Sequence, residues 1–123
     1  MTTRLLSSLL LVCAMALASC YNDKADQLYP TTICNTTAVT YSGDVSKIMN
    51  QSCTMSSCHN VAAAGGYDLS GYAGVKTAVD AGRLIGAITH ASGFSPMPKN
   101  AGKLSACSID QITAWVNAGA PNN

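Results

Sequence analysis

The chain has little of most things that announce a function. Charged side chains make up 11% of its 123 residues, and seven basic residues are nearly balanced by six acidic ones. There is no basic stripe and no array of stacking aromatics, which excludes a nucleic-acid surface. No internal repeat and no long block of like charge appears, and no run of alternating β-branched residues points to a sheet. Histidine is scarce, with only His59 and His90. No further set of side chains reads as a catalytic constellation, so an enzyme ranks last among the function classes. Large apolar residues are also few between Tyr41 and Pro121, where alanine and glycine fill much of the chain. A small domain with so lean a core usually needs disulfides, a metal or a cofactor to hold it.

What is present begins at the N-terminus. Arg4 precedes an apolar run from Leu5 to Ala18, broken only by Ser7 and Ser8. That pattern reads as a secretory signal and is too short for a membrane-spanning helix of about 20 apolar residues. Leu17-Ala18-Ser19-Cys20 resembles the lipobox of bacterial lipoproteins. The resemblance implies that residues 1–19 are a cleaved signal and that Cys20 carries lipid, which anchors the chain at a membrane surface without spanning it. The alternative is an ordinary signal peptide cut near the same place, with Cys20 a free or paired thiol. Residues 20–40 read as a flexible tether, polar, rich in threonine and interrupted by Pro30. Cys34 is the one feature able to tie that tether down.

The stretch that organises the rest is Cys53-Thr-Met-Ser-Ser-Cys58-His59. Two cysteines followed at once by a histidine suit a covalently attached haem. The thiols add to the vinyl groups, and the imidazole beside the second becomes an axial ligand. The usual spacer has two residues and this one has four, a length that a few c-type sites use, notably in multihaem cytochromes. A disulfide between Cys53 and Cys58, or a chance pair beside a surface histidine, is the other reading.

Helical signals flank this motif. A helix starting near Ser42–Asp44 sets Val45, Ile48 and Met49 on one face and runs into Cys53. After a loose stretch, Tyr72, Val75 and Val79 mark a second helix from Tyr72 to Ala81, broken by Gly82. Leu84, Ile85 and Ile88 mark a third that ends near His90. A loop from Ala91 to Lys103 follows and holds Phe94 and Pro96-Met97-Pro98. In the last helix Ser108-x-x-Gln111 fits a capping box, while Ile109, Ile112 and Val116 share a face with Trp115 beside them. Gly119 and Pro121 end it. The expected fold class is all-α.

The order of these parts resembles a small class I cytochrome c over residues 41–121. The attachment motif follows a short helix, Gly65-Gly66-Tyr67-Asp68-Leu69-Ser70 comes after it, and the Met97 loop precedes a last helix carrying Trp115. The resemblance implies one haem c, held by thioethers at Cys53 and Cys58, with His59 as proximal iron ligand and Met97 as distal ligand. His90 is the rival for that distal position. Met49 is expected in the core, Trp115 in the core against the haem edge, and Tyr67, Tyr72 and Phe94 in the core or the pocket wall. The function implied is one-electron transfer between a reductase and an oxidase in an exported, membrane-anchored setting. Cys13 leaves with the signal in this scheme, and Cys20, Cys53 and Cys58 are used, so Cys34 and Cys107 remain to form a disulfide in an oxidising compartment. Other pairings stay open, including 34–107 together with 53–58. Two further function classes stand beside the carrier. One is a disulfide-stapled lipoprotein that binds a partner without a cofactor, and the other is a small haem enzyme or sensor with an open sixth position.

Overall fold

Thr40 starts the helical part of the chain. Its backbone is extended (φ −111°, ψ 156°), and its hydroxyl accepts from the Gly43 N–H at 3.0 Å. The Asp44 carboxylate accepts from the Thr40 N–H at 2.9 Å in return. This reciprocal cap satisfies donors that the first turn leaves open. A π-helical turn, Tyr41–Val45, runs directly into helix α1, Ser46–Ser52. Such turns are rare, and this one buries both Tyr41 and Val45. Three more helices follow, α2 (Tyr72–Asp80), α3 (Leu84–Ile88) and α4 (Ala106–Asn117).

The computed structural model describes residues 34–62 and 65–123. The signal, the lipidation expectation at Cys20 and the tether up to residue 33 lie outside the described residues. Within them no strand occurs, so the described part is all-α, as expected. No helix among the described residues is long and apolar enough to cross a membrane.

The second, third and fourth helices end in the same way. After α2 the Gly82 N–H donates to the Val79 carbonyl at 2.8 Å and the Arg83 N–H to the Ala78 carbonyl at 3.0 Å. After α4 the Gly119 N–H reaches Val116 and the Ala120 N–H reaches Trp115, both at 3.0 Å. After α3 the His90 N–H reaches Ala87 at 3.2 Å and the Ala91 N–H reaches Gly86 at 2.9 Å. Each is a Schellman motif, which requires a left-handed residue just past the helix. Gly82 (φ 66°) and Gly119 (φ 93°) fill that position twice, and His90 (φ 54°) fills it once.

The start of α4 differs from the expected capping box. Ser105, not Ser108, is the cap, and its hydroxyl accepts from the Ser108 N–H at 3.1 Å. Gln111 turns away and donates from Nε2 to the Asn35 carbonyl at 3.2 Å. Serines three residues apart offer two starting points almost one turn apart, and the same apolar face is buried from either.

The core has an aromatic end. Trp115 is fully buried, 5.8 Å from the Tyr41 ring and 6.4 Å from the Tyr72 ring, and the two tyrosines meet edge-on at 5.1 Å. The Trp115 indole N–H donates to the Pro121 carbonyl and the Tyr72 hydroxyl to the Ala120 carbonyl, each at 2.9 Å. Asn123 closes this end, because its side-chain oxygen accepts from the Tyr41 N–H at 2.8 Å and its backbone oxygen from the Ser42 N–H at 2.9 Å. First and last helical segments therefore meet over Trp115. Met49 is fully buried in the core, as expected. A disulfide joins Cys34 to Cys107 across a Cα–Cα distance of 5.4 Å. With the Gln111–Asn35 bond it holds the last residues of the stretch read as a tether against the start of α4.

Candidate cofactor site

Helix α1 delivers the attachment motif. The Cys53 N–H donates to the Met49 carbonyl at 2.8 Å, closing the helix, and the chain then folds back on itself. The Cys58 N–H donates to the Met55 carbonyl and the His59 N–H to the Cys53 carbonyl, each at 2.9 Å. Ser57 takes a left-handed conformation (φ 70°) to make this turn. The four-residue spacer is therefore a closed turn, and both cysteines line the same cavity. Both are free thiols, so the pairing of Cys53 with Cys58 is not the one the chain makes. Burial, with a smaller contribution from the neighbouring Cys58, pushes the Cys53 thiol up to about 11.

The segment after the motif orients the imidazole. The Leu69 N–H donates to the His59 carbonyl at 2.8 Å, and His59 Nδ1 lies 3.0 Å from the Tyr67 carbonyl. A carbonyl can only accept, so Nδ1 carries the donated proton, which leaves Nε2 as the ring nitrogen available to a metal. Gly65 sits flat against that ring, and a Cβ at this position would overlap the imidazole. The approach needs glycine.

The opposite part of the wall comes from α3 and the loop after it. Leu84 and Ile88 are buried on α3 and line the cavity, and Leu69 joins them from the segment before α2. Gly86 leaves room for the Phe94 ring, which a Cβ would strike. Met97 is fixed by its backbone at both ends. Its N–H donates to the Ala87 carbonyl at 3.0 Å, and its carbonyl accepts from His90 Nε2 at 3.1 Å.

These pieces enclose a cavity of about 650 Å³, inside the range of about 300–1,000 Å³ common for small-molecule and cofactor sites. Cys53, Cys58, His59 and Met97 all line it. His90 does not line it, because its ring is spent on the Met97 carbonyl. Tyr67 and Phe94 are in the wall, whereas Tyr72 and Trp115 belong to the aromatic end and do not line the cavity. The charged lining residues are Arg83 and Lys99, with no carboxylate among the lining side chains. No cluster of three or more His, Cys, Asp or Glu side chains is set for a metal ion among the described residues. An all-protein zinc site of the Cys/His type is therefore not formed here.

Three contributions were not anticipated from the sequence: the Tyr67 carbonyl that sets the His59 tautomer, Gly65 against the imidazole, and His90 as a partner of the Met97 backbone. Only Gly65 left a trace, in the Gly65-Gly66 pair after the motif. No protein-family model, curated protein or solved structure matches this chain.

Proposed function

We propose that this chain is a membrane-tethered monohaem c-type cytochrome that carries single electrons between exported redox partners. The observation that carries the reading is the convergence of two free thiols, an imidazole oriented by the Tyr67 carbonyl and a methionine on one largely apolar cavity. Those residues fit a haem. Cys53 and Cys58 would each add an S–H across a vinyl double bond, giving two thioethers with no oxidant required. His59 would hold the iron through Nε2 while the Tyr67 carbonyl keeps its ring oriented. Met97 would be the second ligand the chain offers the iron, and a thioether ligand would favour the reduced state and a comparatively high potential. Leu69, Ile88 and Phe94 would exclude water. A haem bound there supplies a ferric–ferrous couple. With His59 and Met97 both holding the iron, no substrate would need to bind there, and the chain would serve as a carrier.

Cys20 would bear the lipid, and the domain would serve a reductase and an oxidase at the membrane surface. With Arg4 lost in the signal, six basic and six acidic residues would remain and would give little long-range steering toward either partner. The test is a denaturing gel stained for haem, run on protein co-expressed with a cytochrome c maturation system. Stain that stays with the chain, and is lost when Cys53 and Cys58 both become alanine, is the expected result. A chain that takes no haem under those conditions overturns the reading and leaves the disulfide-stapled binding module as the working account.

A further inference from the structure

We infer that His90 is a positioning residue for Met97, holding the loop so that the methionine reaches the cavity. The assignment rests on the haem reading above and deepens it. Three helices of this domain end in the same motif, and the residue just past each helix must be left-handed. Glycine, which takes that conformation without strain, fills the position after α2 and after α4. After α3 the position holds a histidine at φ 54°. A β-carbon is disfavoured there, so the local backbone gives no reason for this side chain.

The reason lies seven residues along the chain. His90 Nε2 lies 3.1 Å from the Met97 carbonyl, and since that oxygen can only accept, Nε2 carries the donated proton. The Ala87 carbonyl takes the Met97 N–H at 3.0 Å and also the His90 N–H at 3.2 Å. The end of α3 thus grips the methionine on both sides of its α-carbon, through one backbone bond and one imidazole. Between the two residues the chain is mostly exposed, from Ala91 to Pro96, with Phe94 alone tucked inward against Gly86. The other anchor of this stretch is Phe94, packed against Gly86 and under the Arg83 guanidinium. His90 therefore acts through Met97, without being a ligand itself.

The test is His90→Gly in the full chain, because glycine removes the ring and also relieves the left-handed strain. A loss of folding is not expected, and thermal unfolding should be unchanged or slightly improved. Two readouts report on Met97. In protein made without haem, amide hydrogen exchange at Met97 should speed up by about tenfold or more, while exchange at Ala120 stays as it was. In haem-loaded protein, the spectroscopic signature of methionine–iron ligation should weaken or vanish, and carbon monoxide should bind the reduced form where it does not bind the unsubstituted protein. Unchanged exchange at Met97 and an intact methionine signature in His90→Gly would overturn this assignment alone. Absence of covalent haem from the unsubstituted protein would overturn the carrier reading and this assignment with it.

Discussion

The two ends of this domain solve the same problem in different ways. At the aromatic end, Trp115, Tyr41 and Tyr72 bury one another, and the polar atoms they bring are matched by Pro121, Ala120 and Asn123. At the other end, Leu69, Leu84 and Ile88 are buried but face a cavity of about 650 Å³. Protein atoms alone complete the first. The second leaves apolar side chains facing a cavity, where close packing is the rule in protein interiors. The lean composition of the chain has thus not been spread evenly. Its only tryptophan closes one end, and at the other the apolar side chains line a cavity.

This contrast is open to direct attack. The largest expected effect is at the closed end. Trp115→Ala removes a fully buried indole and its bond to Pro121, and should cost about 3–5 kcal/mol of unfolding free energy in denaturant titrations. The loss should be similar with and without haem, since Trp115 does not line the cavity. A loss confined to the haem-loaded form would show that the two ends are not separate.

At the open end the expected effect is smaller and depends on pH. The Cys53 thiol is raised from its ordinary 9.0 to about 11 by burial and by Cys58. The folded chain therefore holds this proton more tightly than the unfolded one. Its contribution is fully present below pH 9 and is lost as pH rises through about 11. Haem-free protein should lose up to about 2 kcal/mol across that window, and Cys53→Ala or thioether formation should abolish the dependence. Equal alkaline sensitivity in Cys53→Ala would remove Cys53 as its source.

The smallest effect tests how α4 is fastened to the closed end. Ser105→Ala should cost about 1 kcal/mol, and Ser108→Ala less, in thermal or denaturant unfolding. The reverse ranking would put the helix start one turn later.

The sequence and the structure part company in an instructive pattern. Periodicity is local, and what depends on it was legible: α2 over Tyr72–Asp80, α3 from Leu84, and the stop signals at Gly82 and Gly119. The Ser105 cap was not, because a shift of three residues barely changes which face of a helix is apolar. In the docking of residues 34–40, the Cys34–Cys107 link was expected from the cysteine count, whereas the Gln111–Asn35 bond was hidden for a different reason. A polar, threonine-rich stretch has no period to read, and its attachments at Cys107 and Gln111 lie more than 70 residues away. The members of the candidate site were legible because cysteine, histidine and methionine are rare and chemically distinctive. Their supports were not, since the Tyr67 carbonyl belongs to the backbone and any residue carries one. His90 was read by type as a rival ligand. Its role follows instead from the turn it occupies, and only coordinates reveal that turn.

The most direct measurement is amide hydrogen exchange across both ends of the full chain, made with and without haem-attachment machinery. The account predicts that amides at Trp115 and Ala120 are equally protected in both preparations. Those at His59 and Leu69 should gain strong protection only when haem is attached. Protection at the open end that is complete without haem, or that does not change when haem is attached, would contradict the claim that a covalently held cofactor completes this domain.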